Sequence, residues 1–102
     1  MAMVSSVVNG RFDVDMPGAA VRLVIGNSDK LEVTSKSAVI ITAKARRRGR
    51  TVRWVTPASG AVTIYIPKSV TEIVIRAAAS FEAVAGLTLP ITNRSDRPTP
   101  KA

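Results

Sequence analysis

The sequence predicts an all-β domain, and three observations predict it. Short runs of alternating apolar and polar residues recur along most of the chain. Turn-forming residues separate nearly all of these runs, and between residues 61 and 89 the run centres lie roughly seven to nine residues apart, too close for intervening helices. No window of about eleven or more residues has the i, i+3, i+4, i+7 spacing of an amphipathic helix.

The N-terminal half begins with residues 4–8, which form a first short strand or an N-terminal arm. The turn signal Asn9-Gly10 follows. Four further runs come next, at 11–16, 21–25, 31–35 and 38–45. Because side chains alternate along a strand, the apolar members of each run share one face. These inward positions are Phe12, Val14 and Met16; Val21, Leu23 and Ile25; Leu31 and Val33; Val39, Ile41, Ala43 and Ala45.

The C-terminal half continues the pattern, with runs at 51–56, 62–66, 73–75, 81–83 and 87–91. Pro67 ends one of them, since proline has no N–H to donate to a ladder. The alanine-rich segment 76–84 is the one stretch that could form a helical turn, but the Ile73-Val74-Ile75 run before it favours a strand. The whole chain is predicted to contain about eight to ten short strands.

Two architectures fit this pattern. A short β-solenoid or β-roll has brief strands at a steady period, each stacking on its neighbour in the next coil. A β-sandwich has strands of about five to seven residues with longer turns. The C-terminal half favours the solenoid, and the N-terminal half fits either. Only four of the 102 residues are aromatic, so the core is predicted to consist mainly of Val, Ile, Leu and Ala.

The length predicts a single domain. We expect an N-terminal arm or first strand over 1–10, one all-β domain over 11–92, and a polar, proline-containing C-terminal arm over 93–102. No apolar run approaches about 20 residues, so no transmembrane segment is predicted. The first residues lack the basic and apolar regions of a secretion signal, which favours a cytoplasmic or virion location over secretion.

The composition also limits the chemistry. The chain has no Cys and no His, which excludes disulfides and thiolate catalysis and makes zinc or copper sites improbable. We predict no catalytic residues, no metal site and no cofactor. Asp13 and Asp15 share the polar face of one strand, and paired carboxylates of this kind can do acid–base work or bind a cation. With no nucleophile or third ligand recognisable beside them, they are interpreted as a solvated face balanced by Arg11 and Arg22.

Two segments carry a family resemblance. FDVDMPGAAVRLVIGNSDKLEVTSKS, at the start of the domain, and VTIYIPKSVTEIVIRAAASFEAVAGLTLPITNRS, towards its end, resemble the bacterial putative-adhesin family in the spacing of strands and small-residue corners. The resemblance extends over residues 11–95 and is best over 62–93. This chain is shorter, and Ala77-Ala78-Ala79-Ser80 stands where the family commonly has Ser-Gly-Asp. The resemblance implies a β-solenoid or β-roll with an envelope or binding role.

The strongest local feature is a basic run within a chain of net charge +8. Such a charge attracts polyanions or acidic protein surfaces. If the strand continues through the run, its alternate residues project from one face about 6.6 Å apart, a spacing that could follow a phosphate backbone. The competing interpretation is a solvated loop with Gly49 at its tip, whose charges prevent edge pairing. The nearby Trp54 is predicted to lie in the core. The candidate binding residues are Lys44, Arg46, Arg47, Arg48, Arg50 and Arg53.

Together these observations favour a non-enzymatic structural or interaction module. It would act by self-association, as a homo-oligomer, or by docking onto a larger assembly, as a virion decoration (cement) subunit or an adhesin-like envelope module does. The alternative is a polyanion-binding module that uses the basic run 44–53 to hold nucleic acid or another acidic surface. A third hypothesis, an enzyme or cation binder centred on Asp13 and Asp15, has the least support.

Overall fold

The described part of the chain is built entirely from strands and their connections. The computed structural model describes residues 2–7, 10–26, 29–43, 49–56, 58–84 and 86–93. The strands formed by these residues are β1 (Ala2–Val7), β2 (Gly10–Asp15), β3 (Ala19–Ile25), β4 (Lys30–Ser35), β5 (Val39–Ala43), β6 (Gly49–Trp54), β7 (Gly60–Ile66), β8 (Val70–Ala77), β9 (Ser80–Ala83) and β10 (Ile91–Asn93). The predicted all-β class is confirmed.

The strands form two mixed five-stranded sheets. Sheet 1 has the order β1-β4-β7-β3-β9, and sheet 2 has the order β10-β8-β2-β6-β5. In sheet 1 the pairs β3–β7 and β3–β9 are parallel, whereas β1–β4 and β4–β7 are antiparallel. In sheet 2 the neighbours β10, β8, β2 and β6 are all parallel, and only β5 joins antiparallel. Each sheet is therefore parallel at one end and antiparallel at the other.

The strand order places an early part of the chain between later parts. β2 lies between β6 and β8 in sheet 2, and β3 lies between β7 and β9 in sheet 1. The segment from β6 to β10 alternates between the two sheets, so β2 and β3 are inserted into this alternating series. In a simple stack of coils each strand would pair with the strand two further along the chain, and of these parallel pairs only β8–β10 has that relationship. The choice between a short solenoid and a sandwich stays a prediction.

The core consists of apolar side chains from both sheets. The largest side chains with almost no exposure are Phe12, Met16, Leu23, Leu31, Ile64, Ile73 and Ile75. Buried and outward residues alternate along β3 as far as Leu23 and along β4 and β7, as the period-two pattern predicts. The prediction that Ile25 faces inward is wrong, because this last residue of β3 is 45% exposed. Trp54 is 6% exposed, so its predicted core position is confirmed, and its Nε1 donates a hydrogen bond to the Pro17 carbonyl over 3.0 Å.

Small residues allow the connections between the sheets to stack. The β2–β3, β6–β7 and β8–β9 connections all pass from sheet 2 to sheet 1. Ala79 N–H donates to the Ala19 carbonyl over 2.8 Å, which joins the β8–β9 connection to the start of β3. On the other side, a Cβ at Gly18 would lie 2.9 Å from the Ala58 carbonyl oxygen, and the φ of Gly18 is +85°. Glycine is required there by both space and backbone conformation.

Most predicted strands lie within a few residues of the observed ones, with two local differences. The predicted run 87–91 contributes a strand only from Ile91, although Leu87 and Leu89 still pack partly buried against the core. Asn93, which was assigned to the C-terminal arm, belongs to β10. The remainder of that arm, 94–102, lies outside the described residues. No helix in the described ranges is long and apolar enough to cross a lipid bilayer.

Candidate functional site

The predicted basic site is divided by the structure. Lys44, Arg46, Arg47 and Arg48 lie outside the described residues. Arg50 and Arg53 lie on β6, three residues apart, and therefore on opposite faces of the strand. Arg50 is half-buried on the core-facing side, in register with Phe12 of β2, whereas Arg53 is exposed on the outer face. These two arginines do not form a common binding row.

The net positive charge is concentrated outside the described strands. The described ranges contain eight basic residues and six acidic residues, which leaves a net charge of +2. The connection 44–48 between β5 and β6 carries four basic residues and no acidic one. The segment 94–102 carries three basic residues and one acidic residue, and so contributes a further +2. Any polyanion surface must therefore draw most of its charge from these two segments.

Asp13 is a buried carboxylate in the middle of sheet 2. It is 0% exposed, although it lies on the outer face of β2, opposite the side occupied by Phe12 and Val14. Arg11 Nε lies 3.0 Å from its Oδ1, and Arg76 Nε lies 2.8 Å from its Oδ2. The prediction that Asp13 belongs to a solvated face is wrong, because long arginine side chains cover the carboxylate.

The partners of Asp13 differ in part from those predicted. Arg11 was expected to balance the carboxylates and does so, through a bond from its own strand. Arg22 lies on β3 in the other sheet, where it is exposed. Its expected role is taken by Arg76 on β8, which is distant in sequence and adjacent only through the parallel pairing of β2 with β8. That pairing has no signal in the local sequence.

A β-bulge orients Arg76 towards Asp13. In the β2–β8 ladder Val14 pairs with Ile75 and Asp15 pairs with Ala77, so Arg76 is an extra residue with no partner on β2. Bulges bend the strand and redirect a side chain. The bulge closes with a hydrogen bond from Met16 N–H to the Ala77 carbonyl over 2.9 Å. The arginine is therefore held over the carboxylate by backbone geometry as well as by charge.

The outer face of sheet 2 is electrically balanced. Asp15 and Arg53 occupy paired positions on β2 and β6, where opposite charges attract across the strands. Among the described residues, the charged side chains of this face are three basic and three acidic, namely Arg11, Arg53, Arg76, Asp13, Asp15 and Glu72. The described strands alone therefore give this face no net charge with which to hold a phosphate backbone.

The outer face of sheet 1 has a shallow depression of about 320 Å³. Three consecutive residues from each of β3, β7 and β9 line it, over 20–22, 61–63 and 80–82. Alanine and serine form its floor, and Arg22 and Glu82 occupy adjacent positions of the β3–β9 ladder. Within the described ranges, no three or more His, Cys, Asp or Glu residues lie close enough together to hold a metal ion.

One end of the two-sheet stack combines short strand edges with apolar side chains. Within the described part of the chain, β9 pairs only with β3 and β10 pairs only with β8. Between and beside these strands lie partly buried apolar residues that pack on the core, namely Phe81, Leu87, Leu89 and Ile91. The segment 77–93 contains a single charged residue, Glu82. Sequence reasoning did not single out this end, although its low charge was a visible signal.

Comparisons with known protein families, with curated proteins and with solved structures found no match for this chain. The adhesin-like resemblance therefore stays an expectation based on strand and corner spacing.

Proposed function

We propose that this protein is a non-enzymatic structural or interaction module that acts by self-association or by docking onto a larger assembly. The observation that carries the proposal is the pair of edge strands at each end of the two-sheet stack. Each edge strand is paired on one side within the described residues. Backbone groups on an open edge favour pairing with another chain.

The distribution of polar groups supports the same proposal. The buried carboxylate of Asp13 is held by two arginines, an arrangement that suits a rigid support for the sheet. The depression on sheet 1 is shallow and open, whereas sites for small molecules are usually deep and bury most of the ligand. A virion decoration subunit and an adhesin-like envelope module are the two finer forms of the proposal.

Sedimentation velocity over a wide range of protein concentration tests this function. We expect a reversible increase in mass with concentration, and circular dichroism should show the same β spectrum throughout. A protein that stays monomeric up to near-millimolar concentration, and that chemical cross-linking also leaves monomeric, would contradict self-association. Docking would then have to be sought on a particle or surface.

The alternative function is polyanion binding through the basic run 44–53. The concentration of four positive charges in the connection between β5 and β6 favours it, because a short connection with that charge density attracts phosphates strongly. Arg53 would extend this surface onto the exposed side of β6, and Arg50 would contribute less because it is half-buried. A labelled single-stranded DNA oligonucleotide is the appropriate probe.

A further inference from the structure

We infer that the β9–β10 end is a two-fold interface that pairs β9 with β9 of a second copy of this chain. The inference rests on the proposed self-association and specifies which surface carries it. A two-fold axis perpendicular to the sheets would run β9 antiparallel to its copy and bring the two β10 edges together. Sheet 1 would then continue into the second copy.

The distribution of charge favours the β9–β10 end as the place where two copies meet. Two copies of a protein with net charge +8 repel one another, so they can approach most closely where few charges lie. None of the fifteen basic residues falls within 77–93. The opposite end is more strongly charged. Its edge strand in sheet 2 is β5, which leads directly into the basic connection 44–48 with a net charge of +4, whereas β10 leads into 94–102 with a net charge of +2. In a two-fold dimer the same surface of each copy forms the interface, so a strongly basic surface would repel its own copy.

The hydrogen-bonding pattern shows which groups of β9 are available. Val84 N–H donates to the Leu23 carbonyl over 3.0 Å. Alternate residues of a parallel strand bond to the same neighbour, so the N–H groups of Ser80 and Glu82 also point towards β3. The N–H and carbonyl groups of Phe81 and Ala83 then point away from β3, towards the open edge.

These outward-pointing groups and the position of Glu82 define the register. Residues that face each other in an antiparallel pair lie on the same side of the sheet, so Phe81, Glu82 or Ala83 can each pair with its own copy. The last of these would place the Glu82 carboxylate opposite the apolar Val84. The second choice would place two carboxylates directly opposite each other. The first places each Phe81 opposite its copy, with backbone bonds exchanged, and sets Glu82 opposite the Ser80 hydroxyl.

Charge substitutions at position 80 test the register directly. Ser80→Lys would place an ammonium group opposite Glu82 of the second copy, and Ser80→Glu would place a second carboxylate there. Cross-strand charge pairs occur twice in a two-fold dimer, so the dissociation constant should fall by roughly 2- to 30-fold for lysine and rise by a similar factor for glutamate. Equal effects of the two substitutions would contradict the register.

Proline at position 83 tests the use of the strand edge. Ala83→Pro removes an N–H that points to the open edge, so the β3–β9 ladder should remain while pairing with a second copy is blocked. Ala83→Thr is the matched control, because it keeps the N–H and favours a strand. We expect sedimentation to show a dimer for the wild type and for Ala83→Thr, and a monomer for Ala83→Pro, with unchanged circular dichroism.

The outcomes separate this interface from the proposed function. If the wild type associates while Ala83→Pro, Ser80→Lys and Ser80→Glu all leave the dissociation constant of the dimer unchanged, the β9 interface is wrong and self-association stands. Growth beyond a dimer would also contradict a closed two-fold interface. A wild type that neither associates nor cross-links would overturn both. If Ala83→Pro unfolds, the opposite effects of the two Ser80 substitutions still decide the question.

Discussion

The side chains of Arg76 and Asp13 form an ion pair over 2.8 Å, although 63 residues separate them in the chain. The carboxylate has no exposed surface, whereas the Arg76 side chain is 38% exposed. The pair therefore joins a buried acid to a cation that still contacts water. Removing the Arg76 side chain should lower the free energy of unfolding more than removing an exposed arginine does, because the buried carboxylate oxygen of Asp13 then loses a hydrogen-bond donor.

Arg76→Met should lower the free energy of unfolding by about 1–3 kcal/mol, since the buried Asp13 Oδ2 would lose its 2.8 Å bond from Arg76 Nε. Arg22→Met is the control, because Arg22 is exposed on the other sheet and should change stability by less than about 0.5 kcal/mol. Urea denaturation measures both. Equal effects of the two substitutions would contradict a stabilising role for the pair.

Gly49→Ala should destabilise the protein far more than Gly60→Ala. Both glycines have positive φ, +149° and +138°, so alanine strains the backbone at each by about 1–3 kcal/mol. A Cβ at position 49 would also overlap the Arg11 carbonyl, whereas position 60 is open. We expect Gly49→Ala to lower the free energy of unfolding by at least about 2 kcal/mol more than Gly60→Ala does. Thermal and urea unfolding of both variants measure this difference. Similar losses of stability for the two variants would contradict this prediction, because they would mean that β2 can move away from β6 and relieve the overlap without destabilising the protein.

Trp54→Phe should lower the free energy of unfolding by about 1–3 kcal/mol. The substitution removes the 3.0 Å bond to the Pro17 carbonyl and leaves space where the larger ring was packed. Because Trp54 is the single tryptophan, the wild-type protein can also be followed by fluorescence, with a blue-shifted emission that moves to the red on unfolding. An emission maximum typical of exposed indole in the folded protein would contradict the burial.

Salt should affect the two proposed functions in opposite directions. Self-association of a chain with net charge +8 should strengthen as salt rises, since screening reduces the repulsion between copies. Binding of single-stranded DNA should weaken, with a log–log slope of about −4 to −5 if some six phosphates are neutralised. Fluorescence anisotropy with the labelled oligonucleotide and sedimentation of the protein alone measure the two effects.

Arg53→Gln tests whether the exposed end of β6 belongs to a polyanion surface. If Arg53 contacts one phosphate, its loss should reduce the magnitude of the salt slope by about 0.7–0.9. Arg22→Gln, on the outer face of the other sheet, is the matched control and should leave the slope unchanged. No binding at low salt would dispose of the polyanion hypothesis, and equal slopes for both variants would exclude Arg53 from the surface.

The strands were predictable because their signal is local. Alternation places Val62, Ile64 and Ile66 on one face without knowledge of the fold, and all three are buried. The neighbours of each strand were not predictable in this way, since strand pairing depends on distant parts of the chain. The same limitation explains why the predicted exposure of Asp13 is wrong. Its carboxylate is buried partly by Arg76, which is brought next to it by the pairing of β2 with β8.

The candidate site was predictable only in its composition. The basic run is evident in the sequence, and the opposite orientations of Arg50 and Arg53 follow from a strand that begins at Gly49. The start of that strand is not evident from the sequence, because the basic run fits both a continuing strand and a loop with Gly49 at its tip. The neutral end of the stack could have been found by counting charges over 77–93, but its meaning depends on β9 and β10 being edge strands.

The position of β2 between β6 and β8 has a consequence for how the chain folds. A ribosome completes β2 long before either neighbour exists, so this strand cannot begin its ladder until β6 has been made and cannot complete it until β8 has been made. Folding should therefore be slow for a domain of this size, since most strand pairs close long loops. A nascent chain that ends after β7 should remain sensitive to protease, because β2 then lacks the neighbour that supplies the second arginine over Asp13.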